Sequence, residues 1–169
     1  MKNEIELKFR MASARAARSL LKKAGARLVR RTCSEENEIF DLPDGSLKKR
    51  DVLLRLRRDG RARLTVKLAK TCDAHYKERA EIEFEVSDYG EAKRALEALG
   101  FRVDARYSKR RETWTLAGCE VELDELPFGC FLELEGSKKS IREAAKRLGL
   151  PLTSGLTAGY LDLARASRC

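Results

Sequence analysis

The stretch Glu4-Ile5-Glu6-Leu7-Lys8-Phe9 decides the fold class, because apolar and charged residues alternate along it with a period of two. On an extended chain Ile5, Leu7 and Phe9 share one face, and Glu4, Glu6 and Lys8 share the other. The period recurs. Leu54 and Leu56 alternate with Arg55 and Arg57, and Leu64, Val66 and Leu68 with Thr65 and Lys67. Ile82, Phe84 and Val86 alternate with Glu81, Glu83 and Glu85, Val121 and Leu123 with Glu122 and Asp124, and Leu132 and Leu134 with Glu133 and Glu135. The segments 109–114 and 38–40 add two weaker candidates. About eight short strands of this kind predict an antiparallel sheet, apolar on one face and charged on the other.

Four helices interrupt the strands. The first is expected from an N-cap at Ser13 to Gly25, and the second from Ser87 or Asp88 to Gly100. The third opens near Ser140 with Ile141, Ala144, Ala145 and Leu148 as its stripe, and the fourth covers 158–166. The order strand, helix ending in glycine, strand appears twice, at Glu4 and at Glu81, about 76 residues apart. If this is a duplication, the two halves pair into one pseudo-symmetric sheet. Low-complexity segments and Pro/Gly-rich linkers are absent, so residues 1–169 are read as a single domain.

Composition excludes several kinds of chemistry. No apolar run approaches the roughly 20 residues of a membrane span, and the N-terminus lacks a signal-peptide core, so a cytoplasmic location is expected and no membrane partner. Five cysteines, with no C-x-x-C pair, suit reduced thiols. His75 is the only imidazole, which disfavours a Ser-His-Asp triad and excludes a histidine-based zinc site. Catalysis must then come from carboxylates, lysines and arginines. The net charge of +9 raises the question of nucleic acid. However, residues 1–70 hold 20 basic and 9 acidic side chains, and the remainder 16 and 18, so nucleic acid is not expected as the partner.

The charged strand face is almost purely ionic, whereas glutamate and lysine are depleted on ordinary strands. Crowded carboxylates repel unless cations hold them ionised. About eight strands suffice to close a barrel whose interior receives alternate residues, with the helices covering the apolar outer face. Carboxylates without histidine or cysteine select Mg²⁺ or Mn²⁺, and lysine and arginine clusters select phosphate. A polyphosphate bridged to a divalent cation satisfies both. The fold class expected is therefore α+β, a closed antiparallel eight-stranded β-barrel with helices packed outside.

Beyond these residue-level arguments, the ordered set of motifs resembles the CYTH superfamily, the triphosphate tunnel metalloenzymes, which include class IV adenylyl cyclases, thiamine triphosphatases and inorganic triphosphatases. The E-x-E-x-K signature stands as Glu4-Ile5-Glu6-Leu7-Lys8. Phe40-Asp41, Leu54-Arg55-Leu56-Arg57, Leu64-Thr65-Val66-Lys67, Arg79-Ala80-Glu81-Ile82-Glu83 and Lys109-Arg110-Arg111 follow in order. Leu123-Asp124-Glu125-Leu126, Phe131-Leu132-Glu133-Leu134-Glu135 and Tyr160-Leu161-Asp162-Leu163 complete the set. The resemblance implies metal-site and catalytic roles for Glu4, Glu6, Asp124, Glu133 and Glu135, and a catalytic role for Lys8. It implies a phosphate cradle of Lys8, Arg55, Arg57, Lys67, Lys109 and Arg111. Arg79, Glu81, Glu83 and Glu122 either complete the tunnel beside substrate or balance charge as structural ion pairs. The implied activity is hydrolysis of a triphosphate (tripolyphosphate, ATP or thiamine triphosphate) with Mg²⁺ or Mn²⁺, by a monomer or homodimer. Two alternatives stand beside it: a class IV adenylyl cyclase and a non-catalytic polyphosphate- or RNA-binding module. Cyclases of the superfamily often carry a His-Phe pair just before the signature, and here only three residues precede Glu4.

Overall fold

The alternating segments pair as their period demands. The computed structural model describes residues 1–71 and 75–167. Its elements run β1 Lys2–Met11, α1 Ala14–Lys23, β2 Arg27–Asp41, α2 Ser46–Lys49, β3 Leu53–Arg58, β4 Ala62–Thr71 and β5 Lys77–Val86, followed by α3 Tyr89–Ala98, β6 Arg102–Leu116, β7 Cys119–Leu126, β8 Gly129–Glu135, α4 Lys138–Leu148 and α5 Tyr160–Ala166. The strands form a closed barrel in the order β1-β5-β4-β3-β2-β6-β7-β8, so the expected α+β closed barrel is the fold. Exchanging every strand with the one four places along leaves this circle of neighbours unchanged. Its two openings match in length as well: β1, α1 and β2 have 10, 10 and 15 residues, as do β5, α3 and β6.

Local chemistry sets the helix ends. Ser13 Oγ accepts from the Ala16 N–H at the start of α1, and the Asp88 carboxylate accepts from the Glu91 N–H at the start of α3. Gly25 and Gly100 follow these helices at φ 77° and 90°, the left-handed conformation that an unbranched backbone adopts without strain. Two expected starts shift. Helix α4 begins at Lys138 rather than near Ser140, because Ser137 is the cap and Ser140 supplies the N–H it accepts. Helix α5 begins at Tyr160, two residues later than expected, with Gly159 accepting the first turn's N–H of Leu163. The single turn α2 was not evident in the sequence. Asp41 organises it, accepting from the backbone N–H of Leu42, Leu47 and Lys48.

Contacts divide the chain into two compact units. The β3–β4 unit comprises Met1–Asn3, Ser34–Thr71 and Arg79–Ser108. The β7–β8 unit holds the remaining described residues. In the latter, Leu7, Phe9, Val121, Leu123, Leu132 and Leu134 pack against Ala17 and Leu21 of α1 and Ile141, Ala144, Ala145 and Leu148 of α4. In the β3–β4 unit, Phe40, Leu54 and Leu56 pack against Leu96 of α3, with Leu64, Val66 and Val86 half-buried around them. Apolar residues of each hairpin thus serve a core under the helices, and the alternate charged residues turn to the opposite face.

Candidate active site

Strand register fixes which charges meet in the β7–β8 unit. Lys8 lies opposite Glu133, which lies opposite Glu122, while Arg111 lies opposite Asp124. Glu122, Asp124 and Glu133 consequently converge, each offering an oxygen within 4.8 Å of the others. Four donors crowd Asp124, which is fully buried: Arg111 Nε at 2.6 Å and Nη2 at 2.5 Å, Lys109 Nζ at 3.1 Å and the Tyr160 hydroxyl at 2.6 Å. Glu133 accepts from Lys8 Nζ at 2.7 Å, from Arg111 Nη2 at 3.2 Å and from the Tyr160 hydroxyl at 3.3 Å. Arg111 also pairs with Glu122. Lys8 pairs with Glu6, which is held in turn by Lys77 Nζ at 2.6 Å.

Electrostatics separates the three converging carboxylates. Burial opposes the charge on Asp124, but Arg111 and Lys109 outweigh it and hold the carboxyl below its ordinary range. Glu133 lies well below that range, because Lys8, Arg111 and Lys109 overcome burial. Glu122 is pushed up to about 8, where burial and the charges of Asp124 and Glu133 outweigh Arg111 and Lys109. One of three crowded carboxylates thus carries a proton near neutrality. Lys8, also buried, is raised above its ordinary value, since Glu133 and Glu6 exceed the cost of burial. The set holds oxygen ligands without histidine or cysteine, the donor chemistry that fits Mg²⁺ or Mn²⁺.

A second cluster occupies the β3–β4 unit. Arg57 Nη2 meets Glu83 at 3.0 Å and Arg57 Nη1 lies 3.6 Å from Glu35. Arg55 Nη2 is 3.5 Å from Glu83 and donates to Thr65 Oγ1 at 3.3 Å. Lys67 Nζ pairs with Glu81 at 3.2 Å. The Nε atoms of Arg55, Arg57 and Arg63 are buried without a hydrogen-bond partner. Burial and the neighbouring charge of Arg55 lower Arg57 against the pull of Glu35 and Glu83. This cluster is short of negative charge at Arg57. A cavity of about 670 Å³ in the same unit is lined by Glu36, Arg58, Arg61 and Glu85 rather than by these buried residues.

The expected site residues therefore fall into groups. Lys8, Lys109, Arg111, Glu6, Asp124 and Glu133 come together, and Glu122 joins the converging carboxylates. Arg55, Arg57, Lys67, Glu81 and Glu83 come together in the other unit. Glu4 and Glu135 are half-buried in the same alternating phase as Glu6 and Glu133. Arg79 is engaged differently: its Nε donates to the Leu68 carbonyl at 2.6 Å, and its Nη2 to the carbonyls of Asp51 and, at 3.5 Å, Lys67. It braces the backbone that presents Lys67. Arg110 is exposed, as its phase required. Sequence patterning missed Glu35, Asn37, Lys77 and the contacts of Tyr160. Glu35 and Asn37 lie in Ser34-Glu35-Glu36-Asn37-Glu38, where no apolar residue marks the phase. The thiols of Cys33, Cys119 and Cys130 are free, and burial pushes Cys119 up to about 12 and Cys130 up to about 11, which silences them as nucleophiles. Cys72 and Cys169 lie outside the described residues.

The CYTH domain family matches residues 2–160, and this chain belongs to that family. A conserved hypothetical protein from Pyrococcus furiosus is 29% identical, with 95% of this chain and 99% of that one covered at a TM-score of 0.80. A Pyrococcus horikoshii protein is 30% identical, with 95% and 98% covered at a TM-score of 0.80. A candidate adenylyl cyclase from Hippeastrum, described as having a dominant triphosphatase activity, shares the fold at 19% identity, with 98% and 96% covered and a TM-score of 0.69. No curated protein matches. Among the described residues no helix is long and apolar enough to cross a membrane.

Proposed function

We propose that the protein is a divalent-metal-dependent triphosphatase acting on inorganic tripolyphosphate or an organic triphosphate. The observation that carries this reading is the convergence of Glu122, Asp124 and Glu133 beside the cations Lys8, Lys109 and Arg111. A divalent cation held by those carboxylates supplies charge neutralisation for phosphate oxygens and acidifies water. Lys8, Lys109 and Arg111 are placed to shift from carboxylate to phosphate oxygen when substrate arrives, so charge develops among preorganised donors. Arg55, Arg57 and Lys67 bind phosphate as well, and the unpartnered Nε atoms and depressed Arg57 favour an arriving anion. Glu35, Glu81 and Glu83 hold those cations in place without substrate, and Arg79 supports Lys67. Phosphoryl transfer asks little of a protein beyond such positioning, so the lack of a histidine base is no obstacle. The family and the triphosphatase activity described for the Hippeastrum relative agree with this reading.

The test is incubation of purified protein with tripolyphosphate, ATP or thiamine triphosphate and either Mg²⁺ or Mn²⁺. Metal-dependent release of orthophosphate is expected. Cyclic AMP and pyrophosphate from ATP make it a cyclase instead. Tight, salt-sensitive binding without turnover makes it a binding module.

A further inference from the structure

Tyr160 opens α5 and belongs to the last motif of the sequence pattern, yet the phosphate chemistry above gives it no task. Its side chain is buried, and its hydroxyl donates to Asp124 Oδ2 at 2.6 Å and reaches Glu133 Oε2 at 3.3 Å. Both oxygens belong to the converging carboxylates. Lys8 and Lys109 place their ammonium groups 5.1 and 5.0 Å from the centre of the Tyr160 ring, and Phe131 packs its edge at 5.5 Å. The ring is thus fixed among the residues of the site.

A carboxylate has about four acceptor positions, two on each oxygen; Asp124 Oδ2 accepts from Arg111, Lys109 and Tyr160, and Oδ1 from Arg111 alone. A cation cannot reach Asp124 Oδ2 until one of its three donors leaves. Two of the donors on Oδ2 are cations and the third is a neutral phenol, which is the cheapest to displace. On Glu133, Oε2 likewise accepts from the charged Arg111 and the neutral Tyr160, while Lys8 holds Oε1.

We propose that the Tyr160 hydroxyl occupies, in the metal-free protein, the position from which a divalent cation meets Asp124 and Glu133, so that metal and the C-terminal helix compete for the same two oxygens. This rests on the metal-site reading above. The segment before the helix supplies a fixed point: the Lys8 N–H donates to the Leu156 carbonyl at 3.1 Å and the Leu156 N–H returns to the Lys8 carbonyl at 2.8 Å. Gly155 approaches so closely that a Cβ there would fall 2.6 Å from Leu7 Cδ1. Metal entry therefore loosens α5 beyond Gly159 while the Lys8–Leu156 bridge stays closed.

Titrating Mn²⁺ alone into the full-length protein, with free Mn²⁺ read by electron paramagnetic resonance, tests this without turnover. Tyr160→Phe keeps the ring and removes only the donor, and is expected to bind Mn²⁺ about three- to tenfold more tightly than the wild type. Equal or weaker binding by a folded variant overturns the competition. If the variant does not fold, amide hydrogen exchange of the wild type decides. Faster exchange at Leu163 and Ser167 on adding Mn²⁺, with Lys8 and Leu156 unchanged, supports it; unchanged or slower exchange there overturns it. A wild type that binds no Mn²⁺ overturns both this proposal and the metal-site reading. Wild-type binding and turnover with no gain in Tyr160→Phe sinks this proposal alone.

Discussion

The two units carry the same strand arrangement with opposite charge. In the β7–β8 unit the central hairpin bears carboxylates, Glu122, Asp124 and Glu133, and the flanking strands β1 and β6 bring Lys8, Lys109 and Arg111. In the β3–β4 unit the central hairpin bears cations, Arg55, Arg57 and Lys67, and the flanking strands β2 and β5 bring Glu35, Glu81 and Glu83. Strand order is unchanged when the halves are exchanged, so backbone placement does not distinguish them. Side-chain sign does. A repeated scaffold fixes where charges stand, and on the function proposed above the inverted sign suits one hairpin to a metal and the other to an anion.

The strongest way to break this comparison is to remove the carboxylate with most donors. Asp124→Ala is expected to abolish Mn²⁺ binding and to lower turnover about a thousandfold or more, since a residue acting within a unit costs the whole unit's effect. Arg111 and Lys109 lose their shared partner as well. Isothermal titration and phosphate release check both; a variant that keeps metal and rate would remove the β7–β8 cluster from the chemistry.

Stability should separate the units next. Lys8 is buried between Glu6 and Glu133, so Lys8→Met takes a shared cation from two carboxylates. It leaves Glu6 to Lys77 and Glu133 to Arg111 and Tyr160, and is expected to cost about 3 kcal/mol in urea unfolding. Arg57 sits where burial and Arg55 oppose its charge. Arg57→Met is accordingly expected to cost about 1 kcal/mol or less while weakening tripolyphosphate binding. Equal losses would mean that both clusters are structural.

This asymmetry was only partly legible in the sequence. The period of two in Glu4–Phe9 and its repeats agrees with the burial of Arg55, Arg57, Asp124 and Glu133, but not with β5, where Ile82 and Phe84 are exposed along with Glu85. Strands β2 and β6 run to fifteen residues, yet only short pieces were visible, because Arg27–Glu38 contains too few regularly spaced apolar residues to show a face. Arg79 stands in the sequence between a place beside substrate and a structural ion pair, because the sequence gives the charge of a side chain but not its reach to the carbonyls of Leu68 and Asp51. Tyr160 stood in a recognisable motif, but its contact with Asp124 depends on how the chain after α4 returns to β1.

The pH dependence of stability, measured in chelator, sharpens the contrast further. Asp124 and Glu133 are depressed in the folded state, so their contribution is present above the usual carboxylate range and lost in acid. Glu83 of the other cluster is depressed too, by Arg57 and Thr65 against burial, and adds to the same acid limb. Glu122 is raised to about 8, so it favours folding at low pH and that contribution disappears as pH rises through 8. The wild type is expected to lose on the order of 2–4 kcal/mol between pH 6 and 9 from this group. Glu122→Gln should flatten that alkaline limb and leave the acid limb intact; an unchanged alkaline limb in calorimetry would refute the shared-proton account.

The smallest effects on ligand binding should fall where the two halves agree in sign. On the helix-covered face, Glu38 accepts from Lys93 Nζ at 2.9 Å and Arg106 Nε at 2.8 Å, tying α3 to β2 and β6. Glu112 accepts from Arg18 Nε at 3.0 Å and Thr32 Oγ1 at 2.6 Å, tying α1 to β6 and β2. These are equivalent positions under the exchange of halves, since Arg18 and Lys93 are each the fifth residue of their helix. The charge inversion lies on the other face, whereas anchoring a helix uses the same acceptor in both halves. Glu38→Gln and Glu112→Gln are each expected to cost about 1–2 kcal/mol, by similar amounts, with Mn²⁺ affinity unchanged. Chemical unfolding and metal titration of the two variants provide the check. A shift in metal affinity from either would show that the helix-covered face and the inward face are coupled, and that the sign inversion alone does not account for the difference between the clusters.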